Sequence, residues 1–216
     1  MLFCFSLGIL IFTIGASLFW RRSFDNGLRN YESARIYKYV IKEISFLRKK
    51  KFFLYFFIFS IFLIFFLLFY QSVQQYQLWS QNEVSQYLLP PHQSINYFIF
   101  YSLARFFAPY LISLTIAVLF LFSAKTFNKK YQERFFEPEE LYFGALAIFL
   151  VSHPGWIFYL IFLTLLYLLI HLYSLFIIHN SLRRLSLYYW WLPAAIFVII
   201  ISKWLASAPL WDLLKI

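Results

Sequence analysis

Long runs of apolar side chains constrain this sequence more than any other feature. A helix needs about 20 predominantly apolar residues to cross the roughly 30 Å hydrocarbon core of a bilayer. Of all residues in the chain, 62% are apolar and only 13% are charged, a composition unlike that of soluble domains. Runs of sufficient length cover residues 2–20, 52–70, 101–122, 157–178 and 187–205. The sequence therefore predicts an all-α, polytopic membrane protein.

A sixth apolar run, over residues 141–152, is shorter than the others. A helix of that length is only ~18 Å long, so it crosses the membrane only if it begins near Phe135 or if the bilayer thins locally. The alternative is a re-entrant segment buried among the other helices. We expect a single integral membrane domain over 1–216, a bundle of about six membrane helices with the sixth span at 135–152.

Positive charge is distributed unevenly among the connecting segments. With six crossings, the segments 21–51, 123–140 and 179–186 share one side of the membrane and contain ten, four and two Lys or Arg residues. The segment 71–94 lies on the other side and contains none. Because cytoplasmic loops carry an excess of Lys and Arg, this predicts a multi-pass protein of the cytoplasmic (inner) membrane with its amino terminus outside.

The basic residues also bear on partners and cofactors. The formal net charge is +10, but the positive residues flank apolar runs, which favours anionic lipid headgroups over nucleic acid as the partner. The single cysteine, Cys4, lies inside the first run and can form no internal disulfide. His171 and His179 would lie ~12 Å apart along one helix, too far to share a metal. We therefore expect no metal and no cofactor.

The long basic segment 21–51 contains an amphipathic pattern. Apolar side chains recur there at helical spacing, opposite a basic face, at Tyr37, Val40, Ile41, Ile44 and Leu47. This pattern is typical of a helix that lies in the headgroup layer, and the Asn26-Gly27 pair would form the hinge after the first span. The alternative is a helix that docks onto a partner protein.

Two residues in the third run predict local features. Arg105 lies about one turn inside the outer end of the run, so its long stem can carry the guanidinium to the interface. Pro109 lies one turn further along and is expected to bend the helix, because proline removes one backbone hydrogen bond.

Acidic residues are concentrated just before the short sixth run, in the sequence Glu137-Pro138-Glu139-Glu140. Pro138 suits the first turn of a helix, and carboxylates there complement the positive end of the helix dipole. One interpretation is therefore a well-capped helix start at the cytoplasmic interface. The other is functional, because ionisable groups at membrane depth are costly unless they are paired or hydrated.

Several short pieces after this point share a pattern with a known family. They are Glu139-Glu140-Leu141, Gly144-Ala145, His153-Pro154-Gly155, Arg183-Arg184 and the segment 185–193. In order and spacing they resemble the C-terminal part of the type IV prepilin leader peptidases. That family has a Gly-x-Gly-Asp motif, a Trp-Pro-Gly-like turn, a basic loop and a segment of the type Ile-Pro-Phe-Gly-Pro-Phe. The segment 15–19 is similar to the family's Gly-Ser-Phe-Leu-Asn.

The resemblance implies an aspartyl-type membrane endopeptidase that cleaves prepilin-like leader peptides at the cytoplasmic face. Such enzymes use two carboxyl groups, one of which activates a water molecule. The resemblance implies that Glu140, with Glu139 as its neighbour, supplies one carboxyl group and that Asp25 supplies the other.

Two other functions stay open. The chain can be a non-catalytic membrane subunit, or scaffold, that packs against the helices of other membrane subunits. It can also be a small transporter, which is disfavoured because the apolar runs contain few polar residues to line a path.

Overall fold

The computed structural model describes the backbone of residues 2–29, 35–132, 136–177, 187–207 and 209–214. Side chains are described for 2–19 and, within the backbone ranges from residue 51 onward, for all but a few residues such as Pro138 and Asp212. Every regular element in these ranges is helical, which confirms the all-α prediction. Arg183 and Arg184 lie outside the described residues.

The longer helices follow one another with short connections. They are α1 (Leu2–Arg29), α2 (Arg35–Gln81), α3 (Ile95–Ser102), α4 (Ala108–Lys130), α5 (Pro138–Val151), α6 (Gly155–Ile177) and α7 (Trp191–Leu205). A short 3-10 helix (Ser85–Leu88) follows α2, and a final turn of helix, α8 (Pro209–Leu214), follows α7.

Four helical segments in the described part of the chain are long and apolar enough to cross a membrane. They are Leu2–Phe19, Lys51–Gln81, Ile95–Lys130 and Gly155–Ser174. The shorter apolar helix Trp191–Leu205 accompanies them. By length and composition the chain is therefore a multi-pass membrane protein. Because α5 has 14 residues, it is about 21 Å long at 1.5 Å per residue.

The predicted interfacial helix is not a separate element. Instead, α2 continues without a break for 47 residues, from Arg35 to Gln81. The physical reason lies in the sequence, because no Gly or Pro interrupts this stretch and nothing else there terminates a helix. The hinge expected at Asn26-Gly27 is likewise wrong, because α1 continues to Arg29. The side chains of residues 20–50, and therefore the surface that they contact, lie outside the described part of the structure.

The third span contains a local change of helical pitch. A π turn, Leu103–Phe107, joins α3 to α4, and Pro109 lies in the first turn of α4. A proline ring clashes with the carbonyl group four residues earlier, which here belongs to Arg105, and the wider turn relieves that clash. Arg105 is exposed, and its reach to the interface stays a prediction.

Ring contacts give the relative directions of α2, α4 and α5. The rings of Phe53 and Phe143 lie 4.9 Å apart, and those of Phe57 and Phe149 lie 6.5 Å apart. These two pairs make α2 and α5 parallel. The Tyr110 ring lies 5.9 Å from that of Phe149, near the opposite end of α5 from Glu140, so α4 is antiparallel to α5.

The bundle has two ends, the Glu140 end and the His153 end. The Glu140 end contains the start of α5, the end of α4 and Tyr188, whose ring is 5.4 Å from Phe143. The His153 end contains the turn between α5 and α6, together with Lys203 near the end of α7. The Lys203 ammonium group lies 5.9 Å from the centre of the Phe3 ring, so the start of α1 is also at the His153 end.

The short helix α5 is the centre of the bundle. Every residue from Ala145 to Leu150 is at most 2% exposed, and α5 contacts α1, α2, α4, α6 and α7. Lipid tails are as apolar as these side chains, so close packing and hydrogen bonds hold such a helix, and water exclusion contributes little. The small residues Ala145 and Ala147 allow the neighbouring helices to approach closely.

Candidate functional site

The acidic segment forms the start of α5, as the sequence predicts. Glu137 precedes the helix with extended backbone angles, Pro138 occupies its first turn, and the Glu140 N–H donates to the Glu137 carbonyl oxygen at 3.0 Å. Glu137 is exposed. Glu139 and Glu140 turn into the bundle and are only 8% and 1% exposed. The helix start therefore carries one solvated carboxylate and two buried ones.

The contact between Phe53 and Phe143 shows how far along the bundle axis the two buried carboxyl groups lie. Glu140 lies three residues before Phe143, and Lys51 lies two residues before Phe53 on the parallel helix α2. Glu140 and Lys51 are therefore at nearly the same level of the bundle, and Lys51 is exposed. This places the carboxyl groups close to the polar boundary of the span, away from the middle of the hydrocarbon. Neither carboxyl group is without an interaction.

A polar clamp holds the connection that leads into α5. The Asn128 side chain is buried near the end of α4. Its Nδ2 donates to the Phe136 carbonyl oxygen at 2.9 Å, and its Oδ1 accepts the Phe136 N–H at 3.1 Å. Sequence reasoning missed Asn128, because a lone Asn in a basic segment carries no signal of a contact eight residues away.

Aromatic rings pack closely one turn further into α5. A Cβ atom on Gly144 would lie 2.7 Å from Phe120 Cε1 and 2.9 Å from Trp191 Cζ3. The Trp191 indole is buried, and its Nε1 has no hydrogen-bond partner within the described part of the chain. Gly144 is one of the residues that carry the family resemblance, and here its role is to let α4 and α7 reach α5.

The third predicted site residue cannot be placed beside these two. Asp25 lies in the last turns of α1, but its side chain is among those outside the description. The convergence of Asp25 with Glu139 or Glu140 therefore stays a prediction. The structure brings Glu139 and Glu140 together at the start of α5 and encloses both of them in the bundle.

Several polar side chains within the spans form hydrogen bonds inside their own helices, whereas the Tyr159 hydroxyl on α6 donates to the Trp191 carbonyl oxygen on α7 at 3.2 Å. Thr13 Oγ1 donates to the Ile9 carbonyl oxygen at 2.6 Å, and Ser60 Oγ donates to the Phe56 carbonyl oxygen at 2.8 Å. Ser113 makes the same contact with the carbonyl group four residues earlier. Such groups add no polar lining to a path across the membrane.

Histidine appears at the other end of the bundle in a structural role. His153 Nε2 lies 2.6 Å from the Leu214 carbonyl oxygen, and Trp156 Nε1 donates to His153 Nδ1 at 3.3 Å. Because an indole N–H can only donate, Nδ1 accepts and the proton resides on Nε2. Within the described ranges, no group of three or more His, Cys, Asp or Glu side chains could hold a metal ion.

An open groove lies between α1 and α2 on the outside of the bundle. It has a volume of about 460 Å³ and an almost entirely apolar lining. Its walls are Cys4, Phe5, Gly8, Ile9, Phe12, Phe56 and Phe59. Gly8 and Gly15 are exposed, and a Cβ atom on either would meet nothing within 4 Å.

Comparisons of this chain with protein-family models, with curated proteins and with solved structures find no match.

Proposed function

We propose that the chain is a non-catalytic subunit of a membrane assembly, and that the groove between α1 and α2 receives a transmembrane helix of another chain. The outward position of Gly8 and Gly15 carries this proposal. These residues are seven apart, so they lie on one face of α1. A glycine that faces lipid leaves its backbone uncovered, whereas a glycine that faces a second helix lets the two backbones approach closely.

The buried carboxyl groups also support a structural role. Hydrolysis needs a carboxyl group within hydrogen-bond reach of the reacting water, and Glu140 is only 1% exposed. In some proteins, polar or ionisable groups buried in a bundle specify which helices meet, and we assign this role to Glu139 and Glu140. With this function, α1 forms the contact surface for the partner, and α5 forms the buried centre of the bundle.

The test compares proteins that copurify with the full chain and with variants on the exposed glycine face of α1, where Gly8 lines the groove and Gly15 lies two turns further along. In Gly8→Leu and Gly15→Leu, the new side chains project from the α1 face that the partner helix needs, so one stoichiometric partner should be lost. Thr115→Leu is the matched control, because Thr115 is also exposed on a span but lies on α4. The subunit proposal fails if both glycine variants retain the same partners as the control.

The resemblance to prepilin leader peptidases supplies a second proposal. Its support is that Glu139 and Glu140 both lie in the first turn of α5 and point into the bundle. If the chain is such an enzyme, opening of the Glu140 end would admit a leader peptide, and Glu140 would work with Asp25.

Purified protein and a prepilin-like peptide test this second proposal. Cleavage that is lost in Glu140→Gln and Asp25→Asn would support it. Glu137→Gln is the matched control, because Glu137 is an exposed carboxylate three residues away. Absence of cleavage by the unaltered protein in lipid would eliminate the enzyme.

The proposal includes an orientation. We place the Glu140 end in the cytoplasm and the His153 end outside, with six crossings formed by α1, α2, the continuous α3–α4 segment, α5, α6 and α7. The ten Lys and Arg residues of 21–51 support this orientation. Anionic headgroups of the cytoplasmic leaflet are then neighbours of the Glu140 end.

A further inference from the structure

We propose that a phospholipid with an anionic headgroup binds in a crevice beside the last turns of α4. The crevice has a volume of about 490 Å³, within the range of about 300–1,000 Å³ that holds a single small ligand. It is lined by Phe120, Ser123, Ala124, Phe127, Tyr131 and Phe136.

The lining residues on α4 recur every three or four positions, so they form one continuous strip along the helix. From Phe120 to Tyr131 this strip is about 16 Å long at 1.5 Å per residue. Phe136 forms the facing wall. The crevice is therefore an elongated apolar slot, which suits an acyl chain better than a compact polar metabolite.

A positive charge lies at one end of the slot. The Lys130 ammonium group is 5.9 Å from the centre of the Tyr131 ring, and Tyr131 is itself a lining residue. Lys130 is exposed, in the last turn of α4. A phosphate group at this end would meet a cation, while its chain would lie against the rings of Phe120 and Phe127.

The depth of the slot matches the two parts of a phospholipid. Phe120 lies at the level of Gly144, one turn further into the bundle than Glu140. Lys130 lies ten residues beyond Phe120, about 15 Å further along the helix. The slot thus extends from hydrocarbon depth to the headgroup layer, and its polar end is the one that carries the lysine.

A partner helix is a poorer fit for this site. Close helix packing in membranes favours small residues on both surfaces, whereas three of the five residues in this strip, Phe120, Phe127 and Tyr131, carry bulky rings. Phe136 adds a fourth ring to the lining. An anionic phospholipid satisfies the shape, the apolar lining and the Lys130 cation beside Tyr131 together.

The experiment titrates the purified, delipidated full chain with phosphatidylglycerol and with phosphatidylcholine of identical acyl chains, and counts bound lipids by native mass spectrometry. The unaltered protein should retain phosphatidylglycerol more tightly. Lys130→Gln should weaken that binding by about fivefold, the effect of one lysine near a headgroup, and should leave phosphatidylcholine binding unchanged. Lys129→Gln, at the same depth on a different face of α4, is the matched control.

A second variant tests the slot independently of charge. Ser123 is exposed and lines the slot, so Ser123→Trp should fill it without disturbing the core, and should weaken binding of both lipids. Thermal unfolding of each variant verifies that the fold is intact. Equal retention of the two lipids by the unaltered protein would overturn the proposal. So would equal losses in the two lysine variants, or wild-type lipid binding by folded Ser123→Trp.

Discussion

Asn128 pairs with the backbone of Phe136 in both directions, donating to its carbonyl oxygen and accepting its N–H at 2.9 and 3.1 Å. This one side chain joins the end of α4 to the residue that precedes the acidic segment. It therefore fixes where Glu139 and Glu140 enter the bundle. An amide is suited to this contact because it carries a donor and an acceptor on the same planar group.

Replacement of Asn128 should destabilise the bundle. Asn128→Leu leaves both backbone groups of Phe136 without their partner, at a cost on the order of 1–3 kcal/mol. Asn128→Asp retains the acceptor but loses the donor, so its loss should be smaller. Unfolding in mixed micelles measures both changes. Equal stability of Asn128→Leu and the unaltered protein would show that the clamp is not needed.

Gly144 and Gly15 should respond in opposite ways to the same substitution. Gly144→Ala forces a methyl group to within 3 Å of Phe120 and Trp191, and such overpacking typically costs about 1–3 kcal/mol. Gly15→Ala meets nothing within 4 Å, and alanine is the better helix former by about 0.5–1 kcal/mol. Thermal unfolding of the two variants, side by side, decides whether the glycine at α5 is a packing residue.

The contact between His153 and Leu214 predicts that the C-terminal helix α8 is tethered. His153→Leu removes the hydrogen bond to the Leu214 carbonyl oxygen, worth about 0.5–1.5 kcal/mol, so α8 should detach more often, by up to about tenfold. The rate of carboxypeptidase digestion, followed by intact mass, reports this detachment. His92→Leu is the control, because His92 is exposed on the loop between α2 and α3. Equal digestion rates in the two variants would contradict the tether.

The positions at which α2 leaves the hydrocarbon can be measured with single cysteines. In a Cys4→Ser background, Lys51→Cys and Ser80→Cys should react with a maleimide from opposite sides of a sealed vesicle, whereas Phe62→Cys should not react. Phe62 is 79% exposed, so its protection would come from lipid. With the proposed orientation, a membrane-impermeant reagent added outside intact cells labels Ser80→Cys only. Labelling of Lys51→Cys from outside would reverse the orientation.

The helices are predicted accurately from the sequence where the length of an apolar run alone determines the bounds of the helix. The run at 157–178 became α6 at Gly155–Ile177, and the short run before it became α5 at Pro138–Val151. Pro138 and the following carboxylates gave a clear start signal for α5, and a loop ends it. Boundaries were less accurate in α2, where the polar residues after Tyr70 continue the helix to Gln81, because Gln and Ser end a helix less sharply than Gly or Pro.

The candidate site was only partly predictable. The sequence pattern at Glu139 and Glu140 equally describes an exposed, capped helix start, so it does not predict their burial. Their exposure depends on which helices surround the start of α5. Asn128 and Trp191 lie at the same end of the bundle and contact residues that are not their neighbours in the sequence. Periodicity detects neither of them, because each acts through a partner on another element.

The brevity of α5 has a consequence for biogenesis. A helix of 14 residues is shorter than the roughly 20 residues that a bilayer accepts as an independent span, so α5 cannot be released sideways from a translocation channel and wait alone in lipid. With the six crossings proposed above, it leaves the channel together with α6, as a hairpin turned at His153 and Pro154. A nascent chain truncated before α6 should therefore leave α5 outside the bilayer, although all of its own residues have been synthesised.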